Sequence, residues 1–217
     1  MSNVAEKRDN RGNVKFRRLK DQRRGQIMDA ALVLFAERGV SGAAIADIAE
    51  SAGISVGTFY LYFENKDELL LALLDDAIAR LRQILGRAFA RGRGPLDSFE
   101  RSGRAFFREF CNDRREMLIL VLRESVGLSP EIEQQRMRVF ELLIHDIANA
   151  LLRVSGSGGR RARRQAEVVA VSILGMLERM AYHYYIWQIG SKDLRKVEQE
   201  ALAFILDGLG SALPKEG

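Results

Sequence analysis

Cysteine, proline and histidine are all scarce in this chain: of 217 residues, one is cysteine (Cys111), three are proline and two are histidine. A lone cysteine rules out an intramolecular disulfide and any zinc site built on paired thiolates, and it fits a reducing compartment. So little proline, set among leucine- and alanine-rich runs of helix formers, argues against a sheet protein and for an all-α fold. No segment approaches the roughly 20 uninterrupted apolar residues that a bilayer span needs, and the first residues lack the apolar stretch of a secretory signal. The expected location is cytoplasmic, with no membrane partner. Enzyme signatures are missing too: there is no glycine-rich phosphate loop and no HExxH, and His145 and His183 fall on separate predicted helices without a nucleophile nearby in sequence. No catalytic residue, metal ligand or cofactor is expected.

Charge is present but uneven. Residues 1–24 carry nine basic side chains against three acids, a net of +6, whereas the whole chain carries +5, so the remainder stands at −1. Such asymmetry suggests a polyanion bound at the N-terminal end, the plain alternative being a solubilising tail.

Helical periodicity organises the rest. Ile27, Ala30, Ala31, Leu34 and Phe35 share one face of a helix starting near Lys20, and Gly39 is placed to close it. A short helix over Ala44–Ala52 is stopped by Gly53, and Ser55 is suited to cap another of about two turns. Asn65 opens a longer helix with Asp67 and Glu68 in its first turn, where the macrodipole favours acids. That helix runs to the RGRGP punctuation at Arg91–Pro95. Five further helices follow, over Leu96–Cys111, Arg114–Val126, Pro130–Val154, Arg161–Trp187 and Asp193–Leu213, for about nine in all. The expected organisation is a disordered basic arm over 1–19, a helix-turn-helix DNA-binding unit over 20–66, and a larger ligand-binding and dimerisation domain over 67–217.

The segment AGISVGTFYLYFENKDELL, Ala52 to Leu70, carries the functional signal. Two short helices joined at Gly53 form a helix-turn-helix, whose second helix enters the DNA major groove. Small side chains at Ser55, Val56, Gly57 and Thr58 permit close approach to DNA, with hydroxyls for bases or phosphates and a methyl surface for thymine. Phe59 and Phe63, four apart, face a small core, which turns the Tyr60 hydroxyl outward toward a phosphate. Lys66 puts a cation at the positive end of a helix, a cost that a nearby anion relieves. Taken singly, a tyrosine placed like Tyr60 is more often a half-buried core ring than a phosphate ligand, and a lysine like Lys66 is usually a solvated charge. The combination with the glycine turn, the capped short helix and the basic arm points to DNA.

The stretches IMDAALVLFAERGV and DIAESAGISVGTFYLYFENKDELL, within Gly25–Leu74, resemble the DNA-binding domain of TetR-type transcriptional regulators nearly position by position. The resemblance implies DNA contacts from Thr58, Tyr60 and Lys66, close backbone approach at Gly57, and a supporting helix containing Asp47, Ile48 and Ala49. Where that family often opens its second helix with a phosphate-binding threonine or serine, this chain has Ala43 and Ala44. The contact then falls to Ser41, falls to the backbone, or is absent, with the arm Lys15–Arg24, including Arg23 and Arg24, as compensation toward the minor groove. A helical adaptor that has lost operator binding is the alternative those alanines suggest.

Beyond Pro95 the helices resemble the family only in length and pattern. The helix Arg161–Trp187 is apolar nearly all round, which marks coverage on more than one face. With the last helix it is the expected seam of a homodimer reading a palindromic operator, the bundle the resemblance implies. A hydrophobic or aromatic effector is expected among Phe106, Phe107, Phe110, Met117, Phe140, Met176, Met180, His183, Tyr184 and Trp187, with Arg123 at the mouth for a polar head. For any single one of these, ordinary core and interface packing is the commoner role. The expected function is a repressor released from DNA when that effector binds.

Overall fold

The computed structural model describes residues 2–156, 158–188 and 193–212, with side chains described from residue 17 to residue 210. Leu213 and the Lys15 side chain, both included in the sequence reading, lie outside these. Among the described residues every regular element is helical, and there is no strand. In chain order the helices are α1 (Ser2–Gly42), α2 (Ile45–Ser51), α3 (Val56–Tyr60), α4 (Lys66–Ala90), α5 (Pro95–Ala105), α6 (Arg115–Ile119), α7 (Pro130–Ser155), α8 (Arg160–Ala181) and α9 (Leu194–Ala212). Three of them run on into wider π-helical turns: α5 over Phe106–Asn112, α6 over Leu120–Glu124 and α8 over Tyr182–Trp187.

The first helix starts at Ser2, inside the stretch expected to be an irregular arm. Residues 2–19 contain no proline, so nothing in their covalent chemistry stops a helix nucleated further on from propagating back through them. It breaks at Gly39, whose φ of 76° only glycine adopts easily.

Two compact units divide the chain, Met1–Leu73 and Leu74–Gly217. The core of the first is built from Ile27, Ala31 and Phe35 of α1, Ile48 and Ala49 of α2, Phe59 and Phe63 around α3, and Leu69 and Leu70 of α4, all buried. Gly53, at φ 64°, makes the turn between α2 and α3, and the Ile54 amide closes it onto the Ala49 carbonyl at 2.9 Å. Ser55 caps α3 as expected, its hydroxyl accepting from the Thr58 amide at 3.1 Å. At the start of α4 the Asn65 side chain accepts from the Glu68 amide at 2.8 Å, and Glu68 in return accepts from the Glu64 amide at 2.6 Å. The first bond satisfies an amide of the first turn of α4, and the second ties the residue before the cap to that turn.

In the second unit α7 and α8 pack along each other, and α5 packs on α9. The core centres on Phe107, Phe110, Leu118, Leu120, Ile132 and Val139, with a second cluster of Leu151, Ala166, Ile205 and Leu209 bridging α7, α8 and α9. Ser129 caps α7 through the Ile132 amide, and Gly156 ends it in the left-handed conformation at φ 58°.

Candidate DNA interface and effector cavity

On the first unit, burying Phe59 and Phe63 fixes the rotation of α3, and that rotation decides which side chains it presents outward. Ser55, Val56 and Gly57 are exposed, Thr58 is half-buried and Tyr60 is 53% exposed, its ring edge-on to Phe59 at 5.5 Å between centroids. The Tyr60 hydroxyl has no hydrogen-bond partner among the described residues. The Ser55 and Thr58 hydroxyls pair with each other at 2.8 Å, so one lone pair is already committed. Gly57 has no intramolecular reason to be glycine. A Cβ there would meet only the Ser55 hydroxyl, at an ordinary 3.9 Å, and its φ is not positive. Glycine in a helix is about 1 kcal/mol worse than alanine, so the vacancy suits an outside surface that comes close.

The remaining predicted DNA residues have more local employment. The Lys66 ammonium donates to the carbonyls of Val40 at 2.8 Å and Ala43 at 3.0 Å, with Ser41 at 3.5 Å. This cation is thus held within the chain by neutral carbonyl acceptors of the α1–α2 turn. Ser41 is exposed, and its carbonyl faces Lys66. Ala43 is fully buried, and Ala44 stands at the N-cap of α2 without a side-chain acceptor, which leaves the first amides of α2 open. Arg23 is exposed and bonds Gln26 at 3.1 Å, whereas Arg24 lies over the Phe63 ring at 4.9 Å.

Within the second unit, α4, α5, α6, α7 and α8 surround an apolar cavity of about 40 Å³. Three of the predicted effector residues line it: Phe106, Phe110 and Phe140. Ile78 and Leu81 of α4, Leu118 and Val121, Leu143 and the aliphatic stem of Glu178 complete much of its wall, which is apolar throughout. Met117–Leu122 reads MLILVL and is apolar throughout, but nothing in a linear pattern says which of its sides meets a void.

The other predicted effector residues are placed elsewhere. Phe107 stacks on Tyr185 at 6.1 Å, Met117 is buried away from the cavity, and Met176 packs on the cluster joining α7, α8 and α9. Arg123 pairs with its neighbour Glu124 at 2.5 Å. His183 and Tyr184 stand edge-on to each other at 4.7 Å, Trp187 is 57% exposed with Arg179 over its ring at 5.0 Å, and Met180 is half-buried. None of these lines the cavity.

A second opening, missed by sequence reasoning, lies between α4, α5 and α7 with a volume of about 300 Å³. Its apolar floor includes Leu85, Phe89, Phe99 and Ile147, and its rim holds Arg82, Asp146, Asn149 and Arg153. Arg82 grips Asp146 with two hydrogen bonds, at 2.6 and 3.0 Å, and that contact raises the guanidinium pKa.

Residues 27–73 match the family described as bacterial regulatory proteins, tetR family, the segment from α1 through the start of α4. The HTH-type transcriptional activator FasR of Mycolicibacterium smegmatis is 31% identical over 183 residues, which cover 80% of this chain and 81% of that protein. The chain belongs to the TetR family. Solved structures of the TetR fold agree with its backbone. The fatty acid degradation regulator FadR of Bacillus halodurans superposes with a TM-score of 0.76 at 21% identity, over 86% of this chain and 96% of that one. FadR of Bacillus subtilis, solved in complex with stearoyl-CoA, gives 0.73 at 20% identity, over 84% and 97%. As a TetR-family member the chain is a DNA-binding transcriptional regulator, and α2 and α3 are its helix-turn-helix. No helix among the described residues is long and apolar enough to cross a membrane.

Proposed function

We propose that this protein is a homodimeric regulator whose hold on a palindromic operator is set by an effector with an apolar chain, bound in the second unit. The observation that carries the effector class is the cavity lined by Phe106, Phe110 and Phe140, which offers only apolar surface. The stearoyl-CoA held by the structurally similar FadR of Bacillus subtilis supports the same class. Val168 and Val171 on α8 and Phe204 on α9 stand 60%, 49% and 72% exposed in the single chain. A second copy packed along α8 and α9 would bury them and double the number of base pairs read.

On DNA, the outward face of α3 reads the major groove through Ser55, Val56 and Thr58, Gly57 lets the backbone close in, and Tyr60 donates to a phosphate. Arg23, Arg24 and Ser41 add backbone contacts, and Lys66 both braces the α1–α2 turn and adds positive charge. We take the sense of regulation as repression relieved by the effector. The second reading is activation, favoured by the name of the 31% identical FasR. A gel shift on the protein's own upstream DNA, at two salt concentrations with and without long-chain acyl compounds, tests the proposal. A salt-sensitive shift that an acyl compound alters is the expected result; absence of any shift at low salt overturns it. Reporter output after deletion separates repression from activation.

A further inference from the structure

We infer that the groove between the end of α4 and the outer face of α5 is an anion site separate from the apolar cavity, and that it takes a small phosphorylated ligand of the pyrophosphate class. The groove has a volume of about 250 Å³ and lies within the second unit. Four arginines line it: Arg91 just past α4, Arg101 and Arg104 on α5, and Arg108 on the π-helical continuation of α5. Steps of three and four along the chain put the last three on one helix face, so their convergence is built into a regular element.

The acids around the groove do not use up this donor capacity. Asp97 takes only the Nε of Arg101, at 2.9 Å, and Glu198 takes only the Nε of Arg108, also at 2.9 Å. The terminal amino groups of both arginines are left without a partner among the described residues. Arg91 is exposed, and its side chain has no hydrogen bond or ion pair there at all. Arg104 is the exception, engaged by Glu100 at 2.6 Å and by Glu198 at 3.2 Å. The one acid on the wall, Glu109, has Arg87 at 4.0 Å.

A buried group holds the site in shape. Glu198 is only 2% exposed, yet it accepts from both Arg104 and Arg108, so two of the arginines are fixed before any ligand arrives. Ordering long side chains in advance removes part of the entropy that binding would otherwise cost.

The geometry of the donors sets the ligand class. A guanidinium fork matches the paired oxygens of a phosphate, and forks spread over two elements suit two adjacent phosphates better than one carboxylate. Among the described residues no aromatic ring lines the groove, so no base is stacked there and recognition rests on the phosphates.

The test is calorimetric titration of the full-length protein with inorganic pyrophosphate, ADP and citrate at constant ionic strength, paired with thermal melts. Pyrophosphate should bind and raise the melting temperature, since a ligand that binds only the folded state stabilises it. Arg91→Ala removes a side chain with no internal partner. It should weaken pyrophosphate about tenfold while the ligand-free melting temperature stays at the wild-type value. Arg153→Ala takes the same charge from another exposed position in the second unit and should leave pyrophosphate binding unchanged. Tighter binding of ADP assigns the site to a nucleoside diphosphate, and pyrophosphate binding at least as tightly as ADP assigns it to the inorganic anion; either supports the phosphate class. Citrate binding as tightly as pyrophosphate would show a response to charge alone and overturn the assignment. Absence of pyrophosphate binding, unchanged affinity in Arg91→Ala, or an equal loss in Arg153→Ala overturns it as well.

Discussion

Lys66 and Tyr60 illustrate how a side chain divides between fold and function. The Lys66 ammonium is held by the carbonyls of Val40 and Ala43, so removing it leaves two acceptors of a tight turn short of a donor. Lys66→Met, which keeps the stem, should lower stability by about 1–3 kcal/mol in a urea melt. Unchanged stability with a smaller salt slope for DNA binding would make phosphate its main partner. Tyr60 presents the opposite case, with its hydroxyl outward and only its ring edge packed. Tyr60→Phe should weaken operator binding by about 1 kcal/mol per half-site without moving the melting temperature. Cys111 is fully buried, and burial pushes its thiol pKa well above the ordinary value. Thiolate is the reactive form, so a disulfide reagent should label the native protein only at the rate at which the structure opens. Immediate stoichiometric labelling would contradict that burial.

Between elements, the tightest dependence is that of α9 on α5 and its π-helical continuation. Gly103 lets the helices approach so closely that a Cβ there would stand 2.2 Å from Leu202 Cδ2. A few residues along, the buried Glu198 of α9 accepts from Arg104 at 3.2 Å and Arg108 at 2.9 Å, which also raises the Arg108 pKa. Gly103→Ala must push Leu202 from its rotamer in a filled core, at a cost of about 1–3 kcal/mol measurable by denaturant titration. At the start of α7, the Gly127 amide holds Glu133 below the usual carboxylate range, with Arg136 adding to the effect. A depressed carboxylate contributes stability that is present above its ordinary pKa and is lost as pH falls through the depressed value. Glu133→Gln should therefore lower the melting temperature at neutral pH and converge with wild type well below the carboxylate range. A gap that persists in acid would mean that shape, not charge, matters there.

For the molecule as a whole, assembly and DNA binding should fail together. Val168, Val171 and Phe204 are apolar and bare in the single chain, so Phe204→Asp on α9 should raise the dimer dissociation constant about tenfold or more by sedimentation, and weaken operator binding in step. Monomeric protein that keeps full operator affinity would place the reading unit within one chain. One helix carries residues of both compact units: α4 buries Leu69 and Leu70 in the first, and lines the cavity with Ala77, Ile78 and Leu81 in the second.

Local chemistry determined the helices and the helix-turn-helix. The caps at Ser55 and Asn65, the glycine turns at Gly39 and Gly53, and the burial of Phe59 and Phe63 depend on neighbours within a few residues, so their spacing is readable in the chain itself. The cavity was legible only as a set of aromatic candidates. Phe106, Phe110 and Phe140 line it while His183, Tyr184 and Trp187 do not, because a void exists only where five helices fail to fill the space between them. That failure depends on rotation and crossing of whole helices, quantities the periodicity of any one of them leaves free. The N-terminal stretch expected as a disordered arm is helical from Ser2, because a proline-free run beside an established helix can extend that helix. What the tertiary structure alone decided is which lysine braces a turn and which phenylalanines meet a void, because each role belongs to partners distant in sequence.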